Sequence, residues 1–400
     1  MNAISRVAER TKRLLAPREK FLVLEITPDG TNALFLGVDE DRGLVFEKTI
    51  PKADLARLLR SPLQRISQKS WEGEYFFKSH RKIIVSADPS LATTMPIPLE
   101  LSRERARWKE EITLDELENL IAQAMAKIFT QCRSEAAKRL GIDDIHAIMV
   151  GAKAEQFRVD GHAVMNPIGF TGKKATFLLE LTFTSRDLFE NLKQYFNSPD
   201  EFFFVESPQA FLLALSRVRR LPLGVLAPNG DRGTSLFIFQ NVDGGHPVLY
   251  REAVGWSFDQ IFRSIEDAFG VTRRTAKDLY HAYRNGELSE TAARHFRKTL
   301  QPALDALLAD VEKAKVAGPV YFDTPYPIPF DAPHRHKGAT FDVLPVGELL
   351  AELGLKADPG ISDDAMRASF RRLAPFLESY FAKDTSEINQ KLRRRLHWLS

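Results

Sequence analysis

One stretch of the chain is repeated in outline far downstream, and this constrains the fold more than any other feature. The first copy is FLVLEITPDGTNALFLGVDEDRGLVFEKTI, from Phe21 to Ile50; the second is LGVLAPNGDRGTSLFIFQNVDGGHPVLYREAV, from Leu223 to Val254. Each reads as an apolar strand, a polar loop ending in Gly-Thr, a second apolar strand, an acidic turn with glycine, and a third strand. The Gly-Thr pairs are Gly30-Thr31 and Gly233-Thr234. The turns, Asp41-Arg42-Gly43 and Asp243-Gly244-Gly245, suit hairpins because glycine accepts positive φ. Such a unit occurring twice predicts two similar domains built on mixed sheets.

At 400 residues the chain has room for roughly two or three domains. Its hydrophobic (44%) and charged (27%) fractions are those of a soluble globular protein. No stretch approaches the ~18 apolar residues of a membrane-spanning helix. The first twenty residues lack the apolar core of a secretion signal. The single cysteine, Cys132, excludes an internal disulfide and fits a reducing cytoplasm. A net charge of +3 makes no general case for nucleic-acid binding, although both ends of the chain are basic.

Local signals place several helices. Thr113 with Glu116 forms a capping-box signature. Leu117, Leu120, Ile121, Ala124, Ile128, Cys132, Ala136 and Leu140 follow at helical spacing, and Gly141 stops the helix. Cys132 lies on that stripe and reads as a core residue. Ser257 with Gln260 predicts a second capping box, with Gly270 as the stop, and Pro302 predicts a bend in a later helix.

From about Phe21 to the mid-300s the sequence resembles FtsA, a bacterial cell-division protein of the actin-like ATPase superfamily. The matching segments are LEITPDGTNALF, with Glu25 in the acidic position, Lys82–Ser86, EEITLDELENLIAQA (110–124) and the stretch 146–184. Within the last, Phe157-Arg158-Val159-Asp160-Gly161 followed by Asn166-Pro167-Ile168-Gly169-Phe170 and Gly172 is the most diagnostic run. PilM, a type IV pilus scaffold of the same architecture, is the second resemblance. The resemblance implies an α/β fold of duplicated actin-like (ribonuclease H-like) domains with an FtsA-type inserted subdomain. On this reading 1–20 is a basic amphipathic segment, 21–88 plus 185–219 the first domain, and 89–184 the insertion. The second domain is 220–258 plus 316–383, with 259–315 as its small subdomain and 384–400 as a terminal amphipathic helix.

The resemblance further implies an adaptor on the cytoplasmic face of the cell membrane. It would recruit an FtsZ-like tubulin homologue through about 259–315 and self-associate into filaments. A PilM-like scaffold would instead bind a short membrane-protein tail in a groove. ATP with Mg is the implied ligand. The phosphate-loop positions are Glu25, Thr27, Gly30 and Thr31, then Asn229, Gly230, Arg232, Gly233 and Thr234.

The residues at those positions depart from the family pattern. Thr27 and Pro28 stand where glycine and a hydroxyl residue are expected, and Pro28 has no N–H to give a phosphate. Asn229 replaces a carboxylate, and Asp231 and Arg232 replace glycines, although Arg232 offers a phosphate partner. The third loop, VYFDTPYPIPF (320–330), holds no glycine. The expectation is a cleft kept for shape, with nucleotide binding without turnover, or ATP hydrolysis, as the alternatives. Glu206, in the run Glu206-Ser207-Pro208-Gln209-Ala210, is a weak candidate because its motif carries an inserted residue.

At the C-terminus, Ile388, Leu392, Leu396 and Leu399 recur at helical spacing, Lys391, Arg393, Arg394 and Arg395 supply charge, and Trp398 suits a headgroup interface. This predicts a membrane-binding helix; a surface helix docked on the protein is the alternative. At the N-terminus Ile4, Val7, Ala8, Leu14 and Leu15 oppose Arg6, Arg10 and Arg13 in the same manner.

Overall fold

The computed structural model describes residues 19–28, 30–53, 82–195, 202–228, 233–242, 246–316, 318–324, 326–357, 363–381, 387–389 and 391–392. The N-terminal amphipathic segment (but for its last two residues), the turn at 243–245 and the basic residues after Leu392 lie outside them.

The first copy of the repeat forms β1 (Glu19–Thr27), β2 (Gly30–Val38) and β3 (Leu44–Ala53), an antiparallel meander. β4 (Lys82–Ala87) then runs parallel to β1. An insertion follows: β5 (Ala92–Ser102), α1 (Leu114–Leu140), β6 (Ala147–Val159), β7 (His162–Ala163) and β8 (Lys174–Ser185). Its strands make a separate sheet of order β5-β8-β6-β7, covered by α1. After α2 (Arg186–Tyr195), β9 (Phe202–Glu206) joins β4 in parallel and completes a five-stranded sheet, β3-β2-β1-β4-β9.

α3 (Ser207–Ser216) leads to the second copy, β10 (Leu223–Pro228), β11 (Thr234–Val242) and β12 (His246–Val254). Helices α4 (Phe258–Phe269), α5 (Arg273–Arg284) and α6 (Glu290–Lys313) follow, and then β13 (Pro319–Phe322), β14 (His334–His336) and β15 (Ala339–Phe341). The second sheet has the order β12-β11-β10-β13-β15-β14. In both sheets the meander's first strand pairs in parallel with the next strand of the sheet, giving the same 3-2-1-4-5 course twice. This is the duplicated ribonuclease H-like, actin-like fold.

α7 (Val346–Glu352) and α8 (Asp363–Phe381) end the body of the chain. One core joins the two sheets. Phe21, Val23, Leu34 and Leu36 from the first meet Val225, Phe237 and Phe239 from the second through Phe211 and Leu215 of α3 and Phe370, Leu373 and Phe376 of α8. Helices α3 and α8 are therefore packed between the sheets, and α8 passes directly behind the cleft. A second core, built on Trp256, Phe262, Tyr280, Phe296 and Leu307, holds α4, α5 and α6 to the outer face of the second sheet.

The capping signals are met in part. Thr113 accepts the Glu116 N–H as predicted, but the Glu116 carboxylate turns to Arg103 at 2.8 Å instead of reaching back. Gly141 and Gly270 end their helices in the left-handed region, at φ 64 and 62. The box at Ser257 does not form: the Gln260 side chain donates to the carbonyl of Gly255. Pro302 sits inside one continuous helix, α6. Cys132 is buried in the core of the insertion, and burial pushes its thiol pKa up.

Candidate functional site

In open α/β sheets a ligand site lies beyond the carboxyl ends of the parallel strands. Here those ends carry carboxylates: Glu25 near the end of β1, Asp88 just after β4, Glu206 at the end of β9 and Asp323 just after β13. Between the two sheets opens a cavity of about 870 Å³. Glu25, Thr27, Gly30, Asn32 and Asp88 form one wall; Gly233, the start of α4, Lys277 of α5 and Tyr326 form the other. The Lys277 Nζ rests 5.4 Å from the Tyr326 ring centroid, and Tyr326 meets Phe262 edge-on at 4.9 Å.

Arg371 of α8 lies at the base of this cavity. Its Nε lies 2.6 Å from Asp323 Oδ1, and its terminal nitrogens lie 3.2 Å from Glu25 Oε1 and 3.8 Å from Asp88 Oδ2. All four side chains are buried. Burial alone would lower the Arg371 pKa, but Asp323, Glu25 and Asp88 outweigh it and hold the guanidinium above its ordinary range. Burial raises the pKa of Asp88 against the pull of Arg371 and Ser90. Arg372, whose pKa is lowered chiefly by burial, approaches Glu25 Oε2 at 3.7 Å.

The carboxylate oxygens are all engaged. Glu25 Oε2 accepts from the Asn32 amide at 3.0 Å. Asp88 Oδ1 accepts from the N–H and hydroxyl of Ser90, and Asp323 Oδ2 accepts from the Ser207 hydroxyl at 2.8 Å. Magnesium held by these carboxylates would need oxygens turned toward it in near-octahedral order, with several waters. A guanidinium stands at their centre instead, so these residues do not fit a metal–nucleotide complex of the kind the resemblance implies.

At the first of the loops singled out in sequence, Thr27 pairs with Gly30, and the Thr27 hydroxyl donates to the Gly30 carbonyl at 2.9 Å. Of the sequence candidates, Glu25, Thr27, Gly30 and Gly233 line the cavity, while Thr31 and Thr234 are buried and do not. Their hydroxyls find no hydrogen-bond partner among the described residues. Gly233, at φ 95, passes close enough to the Val254 carbonyl that a Cβ would sit 3.3 Å from it. Asn229, Gly230 and Arg232 fall outside the described residues.

Sequence reasoning passed over Asp88, Asp323 and Arg371. The first two had a visible signal, an aspartate closing an apolar strand in KIIVSAD and VYFD. Glu206 proves more deeply placed than its weak motif indicated. It accepts the Thr94 N–H at 2.8 Å, pairs with Arg251 at 3.2 Å, and has its pKa pushed up to about 7, mainly by burial.

A second buried polar cluster lies where the insertion meets α3 and α8. Lys153 of β6 sits 2.6 Å from Glu155 and 3.5 Å from Glu378 of α8, which also meets Arg217 at 3.4 Å. Glu180 of β8 is enclosed beside them. Burial, then the charge of Glu155, push its pKa up to about 8, against Lys153. A carboxyl with a raised folded-state pKa binds its proton more tightly in the folded chain, so stability falls as pH rises from about 4.5 to about 8. Glu180→Gln is expected to raise the melting temperature at pH values near 8 and leave it nearly unchanged near the lower limit. Melting curves across that range check this, and equal slopes in both proteins would refute it.

The C-terminal segment requires a correction. Ile388 and Leu392 are not free for a membrane: both are buried in the core of the insertion, in the cluster that contains Leu117 and Ile121 of α1 and Phe157 of β6. The Asn389 amide donates to the Ala154 carbonyl at 2.9 Å, and its oxygen accepts the Ala154 N–H at 2.7 Å. Lys391 pairs with Glu118 at 2.7 Å and Asp115 at 3.1 Å. The apolar stripe that predicted a membrane face is covered, in its described part, by the protein itself. Arg393, Arg394, Arg395, Leu396, Trp398 and Leu399 lie outside the described residues.

No protein-family model matches the chain, and no curated protein matches it. Among solved structures, it is similar to a PilM-PilN type IV pilus biogenesis complex over 90% of this chain and 97% of that one, at 14% identity and TM-score 0.47. A glucokinase from Balamuthia mandrillaris in complex with glucose aligns over 100% and 99%, at 10% identity and TM-score 0.39. A pCBH ParM non-polymerisable quadruple mutant aligns over 88% and 98%, at 10% identity and TM-score 0.27. The assignment of this chain to the actin-like fold is carried by its own duplicated strand order.

Proposed function

We propose that the chain is a non-hydrolytic scaffold whose inserted subdomain grips a short amphipathic segment at the cytoplasmic face of a membrane. The observation that carries this is the seating of Ile388, Asn389, Lys391 and Leu392. Two apolar side chains four residues apart enter the insertion's core, an asparagine between them pairs with both backbone groups of Ala154, and a lysine meets two acids of α1. A surface with apolar holes, one exposed peptide unit and an acidic rim reads a peptide by side-chain pattern and backbone together. In this structure the chain's own segment fills it. A membrane-protein tail of like pattern, as a PilM-type scaffold would take, is the partner proposed.

The FtsA-type reading keeps the same body but assigns an FtsZ-like filament as partner and filament formation by the chain itself. Contact with anionic lipid then falls to the basic residues from Arg393 onward, each contributing about 1 kcal/mol near the bilayer. Nucleotide, if taken at all, would enter without the metal the fold's ATPases use.

The test is capture by the chain shortened to residues 1–384. It is expected to bind an added labelled peptide of residues 385–400 saturably, and the same peptide with Asn389→Ala at least tenfold more weakly, since an orphaned buried peptide unit costs about 1–3 kcal/mol. Equal affinity for both peptides would end the groove reading. Pull-downs with a pilus inner-membrane protein and with an FtsZ-like protein then separate the two partner classes.

A further inference from the structure

We propose that the Arg371 guanidinium is the permanent cation of the interdomain cleft, standing in for a divalent metal, and that the three carboxylates around it are committed to it rather than to a metal ion. Glu25 and Asp88 come from the first sheet and Asp323 from the second, so the group that binds them also joins the two halves. Buried carboxylates this close to one another need a positive charge among them or a shared proton. The contacts at 3.2, 3.8 and 2.6 Å show which solution this chain uses.

The substitution has a defined chemical consequence. A metal leaves with a chelator or a change of concentration; an arginine side chain cannot leave, and its charge persists at every pH at which the chain folds. The cleft therefore keeps its geometry with or without divalent ions. Removing the guanidinium leaves three carboxylates at strand ends facing one another without their counter-charge. This inference does not depend on the groove reading, because it concerns the cleft between the two sheets and is read by thermal response, not by peptide capture.

Thermal melting of the full chain is the test, with millimolar MnCl2, MgCl2 or EDTA added, alongside Arg371→Ala and Arg371→Lys. The parent is expected to melt at the same temperature under all three conditions. Arg371→Ala is expected to melt lower and to recover by about 2 °C or more with millimolar guanidinium, which binds the folded form selectively. Arg371→Lys is expected to lie between parent and alanine variant, because an ammonium lacks the planar fork that reaches three carboxylates. A parent whose melting point rises with magnesium or manganese would overturn the proposal. So would an alanine variant that does not respond to guanidinium. If that variant does not fold, manganese titration of the parent by calorimetry decides: no binding at millimolar metal supports the assignment, and saturable binding refutes it.

Discussion

Asp323→Ala is expected to lower the stability of the chain by about 3–5 kcal/mol, the usual cost of removing one partner from a buried ion pair. Asp323 is fully buried and makes the shortest contact to Arg371, at 2.6 Å, while its other oxygen accepts from Ser207 at the start of α3. The substitution therefore strips the guanidinium of its nearest counter-charge and leaves a buried hydroxyl unpaired. Chemical denaturation followed by circular dichroism measures the effect. A loss below about 1 kcal/mol, the range of exposed pairs, would mean that Arg371 is solvated in the cleft and not locked there. Asp323→Asn separates charge from shape: it keeps the volume, so any large loss it shows belongs to the carboxylate.

The pair Ile388→Ala with Leu392→Ala is expected to free the C-terminal segment while the body stays folded. Each truncation of a buried Ile or Leu removes about 2–5 kcal/mol, and together they remove the two apolar anchors that the described residues of the segment place in the insertion's core. Trypsin is the natural probe, because Lys391, held by Glu118 and Asp115, becomes a substrate once the segment undocks. Rapid cleavage there in native buffer, with unchanged far-UV dichroism, is the expected result; unaltered protection would show that the Asn389 and Lys391 contacts hold the segment alone. Asn389→Ala makes a useful companion, since it weakens docking but keeps the apolar stripe. If the stripe and the basic run can also engage lipid, this variant should bind anionic vesicles more strongly than the parent.

Much of the architecture could be read from the chain because it is written in local, repeated patterns. The two meanders announce themselves by alternating apolar strands and Gly-Thr loops, and Thr113 and Gly141 mark the ends of α1. The cleft is different. Its key cluster joins Glu25, Asp88, Asp323 and Arg371, residues with no shared periodicity or spacing, brought together only by two sheets and a helix packed between them. The Pro28 and Gly30 region reads in sequence as a departure from the phosphate-loop pattern, and in the structure Thr27 pairs with Gly30 there. The stripe that includes Ile388 and Leu392 suggested a lipid-facing surface, yet both side chains are buried in the insertion's core. Periodicity reports that a face is apolar; it carries no information about whether lipid or protein buries it. At Ser257 the pattern failed for a simpler reason: the Gly255 carbonyl competes for the Gln260 side chain.

The placement of α8 has a mechanical consequence. A two-halved protein that opens and shuts does so by letting its halves part along the cleft. Here one side chain, rooted in a helix wedged between both sheets, grips acids hanging from each of them. Parting the halves would pull a buried guanidinium away from the carboxylates that neutralise it. The chain is thus built as a gauge block rather than a jaw: whatever assembles on its outer faces meets them at one fixed separation and angle.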